Sequence, residues 1–211
     1  MAETDISICS RALVTLGAQP ISSFLPSEGD TAVICANIYP GLKLGIMSRH
    51  QWRFLMKKKS LTRDETAPVG EWLYSYVIPG DAIGLPNAIF SSTQQRVSEG
   101  QFEVFGRRVF CNFEALIMDY TADSKEDIWP PFFADLMVKS LCAEIAFAVT
   151  DQQNVAETWS LKAYGPPSQG GVGGALGDAM AIDGQSNGTS GIVSDAFVNA
   201  RFGGGGFLGG F

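Results

Sequence analysis

The last 47 residues, 165–211, hold 15 of the 24 glycines and only four charged side chains, Asp178, Asp183, Asp195 and Arg201. A stretch so poor in large apolar residues cannot offset its ordering entropy by burying surface within itself. The sequence therefore predicts a body that ends at Gly165 and an extended glycine-rich arm, 166–211, that gains its order on a partner. It predicts further that a chain cut after Gly165 stays folded and soluble. Fully extended, such an arm reaches about 155 Å, and as a random coil about 35–40 Å, so either state carries it off its own body.

The remaining part, about 164 residues, is long enough for one real core. Hydrophobic residues make up 45% of the chain, and no apolar run approaches the ~20 residues that span a bilayer. The start, Met1 to Asp5, is acidic rather than basic, so no secretory signal and no membrane anchor are expected. The net charge of −7 opposes a sequence-reading nucleic-acid binder, which carries a concentrated basic face. Two local basic spots remain, Lys57-Lys58-Lys59 and Arg107-Arg108. They suit either a solvated strand edge guarded against aggregation or a channel surface that meets phosphate.

Four cysteines, Cys9, Cys35, Cys111 and Cys142, each sit in apolar patterns without a C-x-x-C pair. They are expected to be reduced core residues, with no metal and no cofactor. Triad chemistry needs a histidine, and His50 is the only one. Its place before Trp52, at a helix-to-strand junction, favours a structural role, with a hydrolase using His50 as the alternative. The run 170–177 is glycine-rich, but it lacks the lysine and the spacing of a phosphate loop. No catalytic residues are assigned.

Along the chain, Ile6, Cys9, Leu13 and Leu16 recur at helical spacing behind a Thr4 or Asp5 cap, with Gly17 as the stop. A second helix starts at an Asp30 cap and carries Pro40 inside it. From Trp52 to Tyr120 the period changes to two, in aromatic-rich runs (52–56, 72–78, 102–111, 115–120) separated by Gly, Pro, Asn and Asp. Helical spacing returns after Asp127, with Pro130 and Pro131 in the first turn, and a shorter helix capped by Asp151 follows up to the Gly165-Pro-Pro167 break. There is no internal repeat. The fold class is α+β: a helical bundle from 1–50 and 124–165, an antiparallel β-domain inserted at 51–123, and the arm at 166–211.

Phe197, Phe202, Phe207 and Phe211 stand four to five residues apart in the arm, with Arg201 among them. A plain linker favours serine and charge over phenylalanine. The phenylalanines therefore read as apolar plugs that dock on a neighbouring subunit, with Arg201 as a further docking residue.

Ile8-Cys-Ser-Arg-Ala-Leu13 with Leu16-Gly-Ala-Gln-Pro-Ile21 resembles the first helix and turn of the head-to-tail connector family of tailed bacteriophages, the adaptors or tail tubular protein A. Asp30-Thr-Ala32 with Cys35, Tyr39 and Trp52-Arg-Phe54 is similar to that family's second helix and the start of its β-region. Tyr76-Val-Ile-Pro-Gly-Asp81, Phe105-Gly106 before Val109, Leu116 to Tyr120, and Trp129-Pro-Pro-Phe-Phe133 through Ala143-Glu-Ile-Ala146 continue the likeness. It covers roughly 5–165, and the order and spacing of the motifs carry it. Beyond Gly165 the chain departs from the family's charged helix, although Ser194 to Arg201 resembles a remnant of the usual ending. The resemblance implies a non-enzymatic structural protein of the virion neck, assembled in the host cytoplasm. Copies would form a dodecameric ring between the portal and the downstream tail or nozzle protein, pass double-stranded DNA without reading it, and help retain the genome. An acidic channel would let the duplex slide. A host-recognition tail module is the remaining alternative, and the helical ends argue against its usual trimeric β-structure.

Overall fold

A computed structural model describes residues 3–66, 68–93 and 95–185. Within them the chain is α+β, with five helices and two antiparallel sheets. Helix α1 (Asp5–Thr15) opens with a capping box. Thr4 Oγ1 accepts from the Ser7 N–H at 3.0 Å, and Ser7 Oγ accepts from the Thr4 N–H at 2.9 Å. It closes on Gly17 at φ +83°, with the Ala18 N–H reaching back to Leu13 O at 2.9 Å, a Schellman ending. The buried stripe is Ile8, Cys9, Ala12 and Leu13: Cys9 and Leu13 are core as expected, whereas Ile6 and Leu16 are only partly buried. Helix α2 (Asp30–Ser48) runs through Pro40. Gly29, not Asp30, is its N-cap, so Asp30 instead places a carboxylate on the first turn, where the dipole favours it.

Helix α3 (Pro131–Thr150) is the centre of the bundle, touching α1, α2, α4 (Gln153–Tyr164) and α5 (Gly174–Gln185). Ten of its residues are buried, from Phe133 to Ala146, which is why its sequence is apolar almost all round. Asp151 does not cap α4. It sits at φ 53° and ends α3, leaving Gln152 at the N-cap.

The β-domain is two sheets around one core. Strands β1 (Met56–Ser60), β4 (Ala82–Phe90) and β7 (Ile117–Ala122) pair in the order β1-β7-β4. Strands β2 (Thr62–Arg63), β3 (Tyr74–Val77), β5 (Phe102–Phe105) and β6 (Arg108–Cys111) pair as β2-β3-β6-β5. Ile89, Met118 and Tyr120 from the first sheet meet Tyr76, Val109 and Cys111 from the second. Strand β4 had no clear signature in the sequence because Gly84 and Pro86 interrupt it. Its register slips between Ile83 and Ala88, and on an edge strand a proline forfeits no ladder bond. The alternation expected at 52–56 is instead one turn of 3-10 helix, Arg53–Leu55, leading into β1.

The largest correction concerns the arm. Residues 166–185 are not extended: α5 lies against α3 and α4 and buries Ala175, Leu176 and Ala179 in the bundle core. The glycines there serve close approach. A Cβ on Gly174 would sit 2.6 Å from Lys162 O, and one on Gly177 would sit 2.7 Å from Val172 O. The rest of the expected arm, including Phe197, Arg201, Phe202, Phe207 and Phe211, lies outside the described residues.

The bundle and β-domain are stitched where β7 passes into α3. Tyr39 donates to Glu126 Oε1 at 3.0 Å, and the Lys43 ammonium lies 3.2 Å from both Glu126 and Asp123. Burial and the Glu126 carboxylate push the Tyr39 phenol well above its usual range. Replacing Glu126 with alanine leaves a nearly buried ammonium short of one partner and a hydroxyl without its acceptor. We expect a loss of about 1–3 kcal/mol, measured by urea unfolding, with Glu126→Gln losing less because the amide still accepts from Tyr39.

Candidate docking surfaces

The residues singled out by the sequence do not converge on a catalytic cleft. His50 Nε2 lies 3.3 Å from Asp183 Oδ2, and its ring meets Trp52 edge-on at 4.8 Å. Asp183 is buried and also accepts from the Arg53 N–H at 3.3 Å. This carboxylate on α5 is bolted to the junction between α2 and β1. Two hydroxyls share the neighbouring cleft, Ser48 and Thr121. Ser48 donates to Gly45 O at 2.8 Å and Thr121 accepts from Asn87 at 3.3 Å, so neither is bonded to the imidazole. A His–Asp pair with no aligned hydroxyl fits a latch better than a relay. Asp183 escaped sequence reasoning, because Asp178 stands in the same glycine- and alanine-rich stretch and nothing local tells the two acids apart.

The basic spots are mostly spent on ion pairs. Strand β1 is an edge strand with all five residues exposed. Lys57 pairs with Asp81 at 2.9 Å, holding that carboxyl below its usual range, and Lys58 pairs with Asp119 at 3.4 Å and covers the Phe90 ring. Lys59 has no ion-pair partner among the described residues. Arg107 donates to Pro79 O at 2.6 Å, and Arg108 pairs with Asp64 at 2.8 Å. The hydrogen bonds from Ser75 and Arg108 hold the Asp64 carboxyl low. Arg108 lies on β6, an interior strand, so only the lysines guard an edge.

The thiols are all buried. The hydrogen bond to Cys35 and burial push the Cys9 thiol up, and burial lifts Cys142 to about 12. Protonated thiols of this kind pack rather than react. Among the described residues no three His, Cys, Asp or Glu side chains converge, and no helix is long and apolar enough to cross a membrane.

The surface that sequence patterns did not single out is helix α2. Between Asp30 and Arg49 its exposed positions are Val33, Asn37, Pro40, Gly41, Leu44, Gly45 and Ser48, with no charge among them. Lys43, the one charged residue in that span, turns inward to Asp123 and Glu126. A Cβ on Gly41 or Gly45 would meet nothing within 4 Å, so packing inside this copy does not call for glycine at either place. Each costs roughly 1 kcal/mol against alanine in a helix interior.

Beside this face lies a groove. Its upper part, about 290 Å³, runs over Ile38, Gly41 and Gly45, and its lower part, about 510 Å³, runs over Leu161 and Pro167. Arg49 and Tyr164 line both parts, with the guanidinium 4.8 Å from the ring. Leu161 in the groove and Leu44 on the α2 face are each half exposed. A second cleft, about 410 Å³, lies between α1, α3 and α4 over Val14, Val138 and Trp159. Charged side chains line these grooves as well: Glu144 beside Gly41 and Gly45, Glu157 beside Leu161, and Arg11, Asp135 and Lys139 in the second cleft, so each offers a mixed apolar and charged surface to a partner.

No protein-family model matches this sequence, and comparison with curated proteins finds no match.

Proposed function

We propose that this chain is a structural, non-enzymatic adaptor that assembles side by side into a ring at a virion neck, between a portal and the tail below it. The observation that carries this reading is the exposed face of α2, free of charge from Val33 to Ser48, beside the groove over Leu161 and Tyr164. Helix faces that end in water are normally charged, and this flank, with the separate cleft over Val14, Val138 and Trp159 as a second surface, suits the heterologous contacts that close a ring. The order of elements, two helices, a β-domain and further helices, also agrees with the resemblance in the sequence. Phe197, Phe202, Phe207 and Phe211 are assigned to anchoring on a portal or neighbouring subunit once the body is seated, where tethering adds avidity. Lys57, Lys58, Lys59, Arg107 and Arg108 form no concentrated grip on phosphate, and the net charge of −7 suits a channel through which DNA slides.

Native mass measurement of the purified chain, alone and with a portal ring, tests the reading. A closed species of about twelve copies is expected from the resemblance, and Leu44→Asp should abolish it without lowering the melting temperature of the monomer. A chain that stays monomeric at every concentration and never binds a portal ring contradicts the proposal.

A further inference from the structure

We infer that neighbouring copies join head to tail, the α2–α4 groove of one seated on the α1–α3–α4 cleft of the next, so that Glu144 of the first faces Lys162 of the second. The inference rests on the adaptor reading and deepens it, since it names which two surfaces of the chain meet.

Both surfaces belong to the same two helices and lie on opposite sides of them. At about 100° per residue, Asp135, Val138 and Lys139 of α3 point into the cleft, and Glu144, in the groove, lies roughly half a turn away. On α4, Trp159 lines the cleft, whereas Glu157, Leu161 and Tyr164 line the groove. Helix α3 therefore surfaces twice, with Asp135 exposed on one side and Glu144 and Phe147 on the other. A heterologous ring contact requires two different patches on opposite flanks, one for each neighbour.

Charge decides which surfaces meet. The cleft carries Arg11, Lys139 and Asp135, and the Lys162 ammonium stands 4.0 Å from the centre of its Trp159 ring. Arg11 is paired with Glu3 at 2.8 Å, and Lys139 with Asp135 at 2.7 Å. Lys162 has no ion-pair partner among the described residues, and neither do Glu144 and Glu157, which outnumber Arg49 in the groove. Groove against groove brings two acid-rich surfaces together, and cleft against cleft brings two cation-rich ones. Only groove against cleft sets opposite charges face to face.

Height and shape agree with that pairing. Lys162 lies within electrostatic reach of the Cys142 thiol, and Cys142 and Glu144 are two residues apart on α3, about 3 Å of rise. Copies related by rotation about an axis along the bundle thus bring the two charges to one level. Gly41 and Gly45 leave α2 bare beside the groove, and Val14, 56% exposed at the cleft, is a knob for that hollow.

The test reverses the two charges in the full chain. Glu144→Lys and Lys162→Glu both fall at exposed positions, so each should keep the melting temperature of the parent monomer. Each should weaken self-association at least about tenfold, read by native mass measurement with the chain alone and on a portal ring. The double variant should return to the parent's association, because the reversed pair meets again. The two positions lie on opposite flanks of one copy, so that rescue passes only between copies. In the parent chain, mixed from ¹⁴N- and ¹⁵N-labelled halves, carbodiimide should produce a mixed-isotope amide between Glu144 and Lys162. This cross-link decides the matter even where a variant fails to fold. Its absence overturns the inference, as do single variants that assemble like the parent or a double variant no better than the singles. A chain that shows the cross-link yet binds no portal ring sinks the adaptor reading alone. A portal-bound ring without the cross-link sinks this pairing alone.

Discussion

Deleting residues 166–211 is expected to lower the thermal unfolding midpoint by about 5–15 °C, whereas deleting 186–211 shifts it far less. The first deletion removes α5. Leu176 is completely buried, and burial of such a side chain contributes about 1.5–3 kcal/mol, with Ala175 and Ala179 adding to it. It also removes Asp183, leaving His50 and the Arg53 N–H without their shared acceptor. The net loss should fall near 2–4 kcal/mol once the released chain entropy is allowed for, and a domain of this size shifts by about 2–4 °C per kcal/mol. The apolar sides of α3 and α4 that α5 covers would face water, so the shorter body should also bind hydrophobic dye and aggregate. Differential scanning calorimetry of the two truncations decides the matter. Equal midpoints would show that α5 contributes nothing to the core, and the original boundary at Gly165 would stand.

That boundary shows where composition misleads. Glycine-rich composition signals freedom in a local window, and for α5 it signals the opposite. Gly174 lacks a side chain because the backbone of Lys162 on α4 already occupies the space, and Gly177 because that of Val172 does; the first is a contact between two helices that composition does not reveal. Where a local rule and the global fold agreed, the sequence was legible. Thr4, Ser7 and Gly17 bracket α1 through bonds spanning a few residues, and Pro131 opens α3 where a missing N–H costs nothing. Strand β4 was hidden because an edge position tolerates the very residues, Gly84 and Pro86, that mark a loop elsewhere. The candidate surface was the least legible of all. The exposed side of α2 is conspicuous only once the burial of Cys35, Tyr39, Ile46 and Met47 fixes which side faces out, and an apolar stripe on both sides of a helix looks, in sequence, like core.

Trp52→Ala should cost about 3–5 kcal/mol, more than any surface change. The indole is fully buried, and its Nε1–H donates to Ile46 O at 3.1 Å. Its ring stands 4.9 Å from Phe133, which meets Phe54 and Trp129 edge-on at the same distance, so the cavity would open beneath a cluster of four rings. Trp52→Phe separates the contributions. It keeps most of the apolar area and loses the N–H, and Ile46 O retains the Arg49 N–H at 3.2 Å, so about 1–2 kcal/mol should go. The two cores make the outcome specific. Trp52 belongs to the bundle core, whereas Tyr76, Val109 and Tyr120 belong to the β-domain core. Hydrogen exchange of Trp52→Ala should therefore show amides of α1, α2 and α3 losing protection ahead of those of β3 and β6. Loss of protection in all of them together would mean that the two cores unfold as one unit, and that the Tyr39–Glu126–Lys43 stitch binds them more tightly than two separate clusters imply.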